Sequence, residues 1–196
     1  MSLQETASIE DVLSQSDPIL GAHIAAQSDR WPREAKEDPI WGLVRIVIAQ
    51  QISTQLAHRI AERVKSTYPS IITPFPKLVP TVDDLRAFGL PEKRAQCCHN
   101  ILRKSDEIRC KVQDGEPWES ALAGIKGIGP WTLAVFRIMV LRQPDVVPLG
   151  DVGLERAIAK VYGEKHEVAK LAENWRPFRS VACWYLWRTL GNEQLG

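Results

Sequence analysis

The sequence predicts an all-α protein of 196 residues. In most segments apolar side chains recur three and four positions apart, as they do along one face of a helix. No alternation of apolar and polar residues lasts beyond a few positions, so the pattern of strands is missing. Glycine and proline separate the periodic segments. We therefore predict about nine or ten helices, in a chain long enough for one sizeable core or two small lobes.

The composition is that of an ordinary globular protein, with 44% hydrophobic and 25% charged residues. The net charge is only +1, so any nucleic-acid contact must depend on local patches and backbone amides. Residues 1–18 lack the apolar core of a signal peptide, and no apolar run approaches the length of a membrane span. We expect a protein of the cytoplasm or nucleoid, or of the nucleus in a eukaryote, that is not secreted.

Neither the cysteines nor the histidines have the spacing of metal ligands. The pairs and clusters that hold zinc or an iron–sulfur cluster are missing from the pattern. We therefore predict reduced thiols, no iron–sulfur cluster and no required cofactor. The residues concerned are Cys97, Cys98, Cys110, Cys183, His23, His58, His99 and His166.

Several helices are predicted in the first half of the chain. Residues 1–30 form a helical start that Pro18 interrupts, and residues 40–49 form an almost wholly apolar, buried helix. Residues 50–53 break that run. The next helix places four apolar side chains on one face, namely Ile52, Leu56, Ile60 and Val64.

Residues 69–80 contain four prolines and are predicted to be a loop. Thr81, followed three positions later by Asp84, is a variant of the capping box and starts a short helix that Gly89 ends. A continuous helix is predicted over residues 95–108. Pro117 opens a further helix.

That helix leads into the turn Gly127-Ile128-Gly129-Pro130, after which a second helix runs to about Arg142. Two glycines permit a positive φ and a close approach of the backbone to a ligand. Pro130 suits the first helical position. The amides of Trp131 and Thr132 then lie at the positive end of the helix dipole, where a phosphate fits.

Asp151 opens another helix, predicted to end at about Val161, and two more helices follow over residues 165–174 and 176–190. The last segment is rich in aromatic residues, which we assign mainly to packing of the terminal helix. These are Trp175, Phe178, Trp184 and Trp187, of which Trp187 is equally compatible with a ligand pocket.

The helix, the G-I-G-P hairpin, the second helix and the aspartate some twenty residues later resemble the helix-hairpin-helix superfamily of DNA glycosylases. Within it, the 3-methyladenine DNA glycosylase II branch is the most similar. Residues 122–188 carry the stronger resemblance and residues 40–110 a weaker one. The resemblance implies one glycosylase domain over 1–196, with roughly residues 40–150 in one lobe, the terminal segments in the other, and the active-site cleft between them.

The resemblance further implies a monofunctional, monomeric enzyme that flips alkylated bases out of duplex DNA and excises them in base excision repair. Asp151 matches the active-site aspartate, whose carboxylate stabilises the positive charge that develops on the sugar. An N-cap of the following helix is the ordinary use of an aspartate here, and the two roles can coexist. Asp145 is the alternative carboxylate, although it matches no catalytic position.

Two tryptophans match the base pocket of this branch. Trp131 follows the hairpin, where bifunctional relatives carry a lysine that forms a Schiff base, and Trp187 matches a tryptophan of the pocket. Gln51 matches the residue that fills the gap left by a flipped base. The ordinary alternatives are packing for the tryptophans and a helix-terminal polar cap for Gln51.

The DNA backbone is expected to contact the hairpin and one further turn. The residues concerned are Lys126, Gly127, Ile128, Gly129, Trp131 and Thr132 in the hairpin and Lys93 and Arg94 in the turn, where an ordinary solvated charge pair is nearly as plausible. The resemblance also implies a structural Na⁺ or K⁺ on the backbone carbonyls of Ala123, Ile125 and Ile128.

Two other functions are compatible with the sequence. One is a glycosylase for another lesion, such as uracil or an oxidised purine. The other is a helix-hairpin-helix module that binds DNA without catalysis. Such a module needs the hairpin, but it needs neither Asp151 nor the aromatic residues.

Overall fold

A computed structural model describes residues 7–35, 37–72, 78–163 and 166–193, and within these ranges the chain forms twelve α-helices and no strand. The α-helices are α1 (Ile9–Ser16), α2 (Pro18–Ala25), α3 (Pro39–Ala49), α4 (Thr54–Thr67), α5 (Val82–Ala87), α6 (Glu92–Arg103), α7 (Ser105–Asp114), α8 (Glu119–Leu122), α9 (Pro130–Met139), α10 (Val152–Tyr162), α11 (Val168–Leu171) and α12 (Arg179–Trp187). Three short 3₁₀ helices cover Pro69–Ile72, Ala172–Trp175 and Arg188–Glu193. The predicted all-α class is confirmed.

The chain divides into two compact units. In the part that the structure describes, the first unit combines residues 7–34 with residues 142–191. The second contains the described residues between 35 and 141, together with residues 192 and 193. No helix in the described residues is long and apolar enough to cross a membrane.

The second unit is built around α3, which packs against α4, α6, α7 and α9. Asp38 caps its N-terminus by accepting the amide of Trp41 at 3.0 Å, and Pro39 takes the first helical position. Most of the side chains of α3 are buried, as the apolar run predicted. At Gly42 even a Cβ would lie 2.6 Å from a methyl group of Val140, so only glycine allows α9 to end so close to α3.

A buried ion pair ties α7 to the start of α3. Arg109 donates from Nε to Asp38 Oδ2 at 2.8 Å and from one terminal nitrogen to Asp38 Oδ1 at 3.2 Å. The same terminal nitrogen donates to the carbonyl of Ile71 at 2.9 Å. Because only 6% of the Arg109 side chain is exposed, these acceptors replace water at Nε and at this terminal nitrogen.

The first unit packs α1, α2, α10 and α12 together. The buried Asp17 caps α2 by accepting the amide of Leu20 at 3.0 Å. Its other oxygen accepts the hydroxyl of Tyr162 at 2.6 Å and the indole N–H of Trp175 at 2.9 Å. One carboxylate thus joins α2 to the end of α10 and to the segment before α12. Pro18 interrupts the helical start as predicted, since α1 ends at Ser16 and Pro18 takes the first position of α2.

The predicted buried face of α4 is partly wrong. Leu56 is 39% exposed, and the residues that face the core are Ala57, Ile60, Ala61 and Val64. The small side chains of the two alanines allow the backbone of α4 to lie close to the core. A prediction based on large apolar side chains overlooks such positions.

Other predicted boundaries also change. Residues 69–72 form a 3₁₀ helix instead of a loop, and residues 73–77 lie outside the described ranges. The helix predicted over residues 95–108 is two helices, because the chain bends at Lys104, whose Nζ donates to the carbonyl of Ala121 at 2.8 Å. The second helix of the hairpin ends at Met139, before the predicted Arg142. The segments predicted over 165–174 and 176–190 are each a short α-helix continued by a 3₁₀ helix, and Lys165 lies outside the described ranges.

We expect Arg109→Met to lower the free energy of unfolding by about 3 kcal/mol or more, because it leaves the largely buried carboxylate of Asp38 without its cation and the carbonyl of Ile71 without its donor. Urea unfolding followed by circular dichroism measures this loss. Arg86→Met is the matched control: Arg86 is exposed and lies 3.7 Å from Asp83, so its loss should cost under about 0.5 kcal/mol. Equal losses in the two variants would contradict the assignment.

Candidate functional site

The hairpin in the second unit joins α8 to α9 through the predicted turn, Gly127-Ile128-Gly129-Pro130. Gly127 has a φ of +102°, and a Cβ there would lie 3.1 Å from Cys97 Sγ, so the turn packs tightly on α6. Gly129 is different, because its backbone is extended, with a φ of −113°. A Cβ at Gly129 would meet nothing within 4 Å. Only the first glycine therefore needs a positive φ, and the space beside the second is open to a ligand.

No side chain caps the N-terminus of α9, which begins at Pro130. This is the arrangement in which a helix N-terminus binds an anion. Lys126 lies exposed in the turn, and Ile128 and Trp131 are half-buried. Thr132 as a whole residue is only 2% exposed, and its contact with a phosphate stays a prediction.

Gln50 connects the hairpin to the end of α3, a role that sequence analysis missed. Its side-chain Nε2 donates to the carbonyl of Gly127 at 3.2 Å and to the hydroxyl of Thr132 at 3.1 Å. The backbone of Gln50 is the C-cap of α3. A hydrogen bond to a residue 77 positions away along the chain leaves no local pattern in a sequence.

Gln51, the predicted wedge, is exposed at the tip of the loop between α3 and α4. Its φ is +57°, in the left-handed region that residues other than glycine seldom adopt. Ser53 caps α4, as its side chain accepts the amide of Leu56 at 3.4 Å. Because Ser53 provides this cap, Gln51 is not needed as a polar cap of the helix.

The two basic residues after Gly89, Lys93 and Arg94, lie in different environments. Lys93 is exposed at the first turn of α6. Arg94 is half-buried and donates from one terminal nitrogen to the carbonyl of Ile48 at 3.3 Å, near the end of α3. Arg94 therefore supports the same loop that carries Gln51, and its contact with a phosphate stays a prediction.

The three carbonyls predicted to hold a monovalent cation belong to the hairpin turn. The carbonyl of Ile125 accepts the amide of Ile128 at 3.3 Å, which uses one of its two lone pairs. The second lone pair remains compatible with a cation. In the described residues, no group of three or more His, Cys, Asp and Glu side chains could hold a metal ion.

Asp151 is the N-cap of α10, in the first unit. Its Oδ1 accepts the amide of Leu154 at 2.5 Å and the indole N–H of Trp187 at 3.0 Å. The side chains on either side are open to solvent, since Leu149 is 59% and Val152 is 57% exposed. Asp151 therefore caps α10, as an aspartate at this position predicted. Its side chain is half-buried and lies among solvent-exposed neighbours.

Trp187 lies in α12, which packs against α10, and it is only 4% exposed. The indole N–H of Trp187 donates the hydrogen bond that holds the Asp151 carboxylate. Its contact with a base stays a prediction. Trp175 and Trp184 are buried, at 0% and 7% exposure, as the packing assignment predicted.

The loop that leads to Asp151 is held by the residues just before and within α12. Arg179 donates from Nε to Asp145 Oδ1 at 2.6 Å and from a terminal nitrogen to Asp145 Oδ2 at 3.0 Å. Ser180 accepts the amide of Val146 at 2.9 Å, and its own amide donates to the carbonyl of Pro144 at 2.9 Å. Asp145 therefore anchors the loop through Arg179, and the alternative that it is the catalytic carboxylate stays untested.

The hydrogen bond from Arg179 holds the pKa of Asp145 below its ordinary value, against the opposing effect of burial. Since the folded-state pKa is depressed, this stabilisation is present above the unfolded pKa of about 3.9 and is lost as the pH falls through the folded-state pKa. We expect Asp145→Asn to be less stable than the wild type at pH 7, with a difference that shrinks towards pH 3.

Urea unfolding of both proteins at the two pH values measures this change. Asp114→Asn, at an exposed carboxylate that ends α7, is the control and should change little at either pH. A stability difference that does not depend on pH would rule out the ion pair as its cause.

Curated relatives support one family. The chain is 30% identical over 167 residues to DNA-3-methyladenine glycosylase 1 of Schizosaccharomyces pombe, a match covering 79% of this chain and 73% of the relative. It is 29% identical over 190 residues to a probable bifunctional transcriptional activator/DNA repair enzyme AlkA of Mycobacterium tuberculosis, covering 89% of this chain. That match spans only 38% of the longer mycobacterial protein.

The fold agrees with these relatives. A solved structure of the Schizosaccharomyces pombe 3-methyladenine DNA glycosylase in complex with abasic DNA superimposes with a TM-score of 0.68 at 23% identity. The match covers 96% of this chain and 100% of that one. No protein-family model matches the sequence. From the Schizosaccharomyces pombe relative, whose similarity extends over most of both chains, we conclude that this chain belongs to the DNA-3-methyladenine glycosylase family.

Proposed function

We propose that this protein is a monofunctional DNA glycosylase that flips alkylated bases out of duplex DNA and hydrolyses their N-glycosidic bonds. The observation that carries the proposal is the Asp151 carboxylate, fixed by two N–H groups at the accessible N-terminus of α10. The family of the chain supports it, because the Schizosaccharomyces pombe relative is named for excision of 3-methyladenine.

Asp151 stabilises the reaction electrostatically. Cleavage of an N-glycosidic bond gives the sugar oxocarbenium character, and a preorganised carboxylate beside C1′ lowers the energy of that cation. The carboxylate also orients the attacking water. The apolar side chains of Leu149 and Val152, exposed on both sides of Asp151, suit contact with the deoxyribose, which excludes bulk water around the charge.

The DNA backbone binds at the N-terminus of α9, where Lys126 adds a positive charge. Lys93 contacts a further phosphate. With a net charge of only +1, such local contacts must supply the attraction. Gln51 fills the space that the flipped base leaves, and its amide can hydrogen bond to the orphaned partner base. A Na⁺ or K⁺ held by the carbonyls of Ala123, Ile125 and Ile128 would add positive charge beside the phosphate, and no other cofactor is needed.

The enzyme lacks lyase activity in this proposal, because the position after the hairpin is Trp131 rather than lysine. An indole cannot form a Schiff base with the opened sugar. The protein acts as a monomer at the chromosomal DNA, as expected of a base excision repair enzyme.

Alkylated purines are the preferred substrates because alkylation of a ring nitrogen places a positive charge on the base. The charge weakens the glycosidic bond, so the leaving group needs little acid catalysis. The sequence around Asp151 offers no obvious general acid, which fits such a substrate. Trp131 provides an aromatic face for the cationic ring.

A panel of lesion-containing duplexes tests the proposal. The protein is incubated with DNA carrying 3-methyladenine, 7-methylguanine, hypoxanthine, uracil or 8-oxoguanine, and abasic product is resolved by alkaline cleavage. We expect the alkylated purines to be removed fastest and no adduct to form on borohydride reduction. Fastest removal of uracil or 8-oxoguanine would indicate the alternative lesion class. DNA binding without any excision would indicate a non-catalytic module.

We expect Asp151→Asn to reduce single-turnover excision about a hundredfold or more, while affinity for DNA persists. Asparagine is as good an N-cap as aspartate, so α10 keeps its start while the charge is lost. Glu155→Gln, at an exposed carboxylate one turn further along α10, is the control and should excise normally. Near-normal excision by folded Asp151→Asn protein would refute the catalytic role.

We expect Trp131→Ala to slow excision of 7-methylguanine about five- to thirtyfold more than excision of the neutral base hypoxanthine, which corresponds to a desolvated cation–π contact of about 1–2 kcal/mol. Trp131→Phe should retain part of the preference, because phenylalanine offers a weaker aromatic face. Single-turnover rates on the two duplexes give the ratio. Equal slowing on both bases would show that Trp131 contributes shape and not charge recognition.

A further inference from the structure

We propose that Gln50 is a positioning residue that locks the loop carrying Gln51 to the phosphate-binding hairpin. The wedge residue Gln51 and the phosphate-binding hairpin are thereby held at a fixed distance and orientation relative to each other. The inference rests on the proposed function for the roles of Gln51 and the hairpin. The lock itself rests on contacts within the second unit.

The two donated hydrogen bonds of Gln50 reach both sides of the hairpin turn. One acceptor is the carbonyl of Gly127, in the turn itself, and the other is the hydroxyl of Thr132, in the first turn of α9. Thr132 is 2% exposed and Gly127 packs against Cys97 of α6, so neither acceptor can easily move. The Gln50 side chain is therefore attached to a rigid surface.

The backbone of Gln50 is equally well held. It ends α3, most of whose side chains are buried, and its amide donates to the carbonyl of Val47 at 3.3 Å. Arg94 binds the carbonyl of Ile48 at 3.3 Å and so fixes the same helix end from α6. The residue that follows is Gln51, whose positive φ must be maintained by its surroundings.

Fixing both ends of this connection has a consequence for binding. A wedge that is ordered before DNA arrives loses less conformational entropy on insertion than one on a flexible loop. A glutamine is required because its amide NH₂ group has two donors, one for each acceptor. Methionine has a similar length and shape but no donor, so it should leave the fold intact and release the loop.

A double-mutant cycle tests the lock by equilibrium binding to duplex DNA with an abasic site. Affinity is measured for the wild type, Gln51→Ala, Gln50→Met and the double variant. We expect Gln51→Ala to weaken binding about five- to tenfold in the wild-type background and less than about twofold in the Gln50→Met background, because the released loop no longer presents the wedge. Gln113→Met, on the exposed face of α7, should leave the full effect of Gln51→Ala.

Independent effects of the two substitutions would overturn the proposal, since a purely structural Gln50 gives no coupling. A Gln51→Ala effect that is absent from both backgrounds would overturn it as well. Should Gln50→Met not fold, Thr132→Val removes one of the two acceptors from the opposite side and should show coupling of the same sign but smaller size. Failure of the wild type to excise any lesion would defeat the proposed function, while the binding cycle would still decide the role of Gln50.

Discussion

The pair of hydrogen bonds accepted by Asp151 is the interaction on which the first unit and its proposed chemistry depend. One donor is the amide of Leu154, which starts α10, and the other is the indole of Trp187, which belongs to α12. The same oxygen therefore begins one helix and joins it to another. Because the two N–H donors fix the position of the carboxylate, the structural contact also serves the proposed electrostatic role. Removing the charge by Asp151→Asn separates the two roles.

An ion pair also fixes the loop that precedes Asp151. Arg179 and Ser180 fasten residues 144–146, so the loop reaches Asp151 from a defined direction. The side chains of Arg179 and Asp145 are 17% and 28% exposed, and a bidentate arginine also restricts the geometry of the carboxylate that it binds. This contact therefore positions the loop as well as stabilising it, and the aromatic-rich segment before and within α12 supplies it beside its packing role.

The second unit presents a contrasting helix start. Whereas α10 begins with a carboxylate that accepts the amide of Leu154, α9 begins at Pro130 after Gly129 and has no side-chain cap. A helix that leaves its N-terminus without an acidic cap retains the positive end of its dipole for a ligand. The two helix starts suit the two halves of the proposed task, a cationic transition state at α10 and an anionic backbone at α9.

Local patterns in the sequence were sufficient for the all-α class, the hairpin, the cap at Thr81 and the position of Asp151, because helix periodicity and capping involve residues within four positions of each other. The resemblance of the same residues to the glycosylases pointed to the family. Only the tertiary structure decided that Gln50 binds the hairpin, that Asp145 binds Arg179 and that Trp187 holds Asp151. These partners are between 34 and 82 positions apart, and nothing in the chemistry of one side chain specifies which distant acceptor it will meet once the helices have packed.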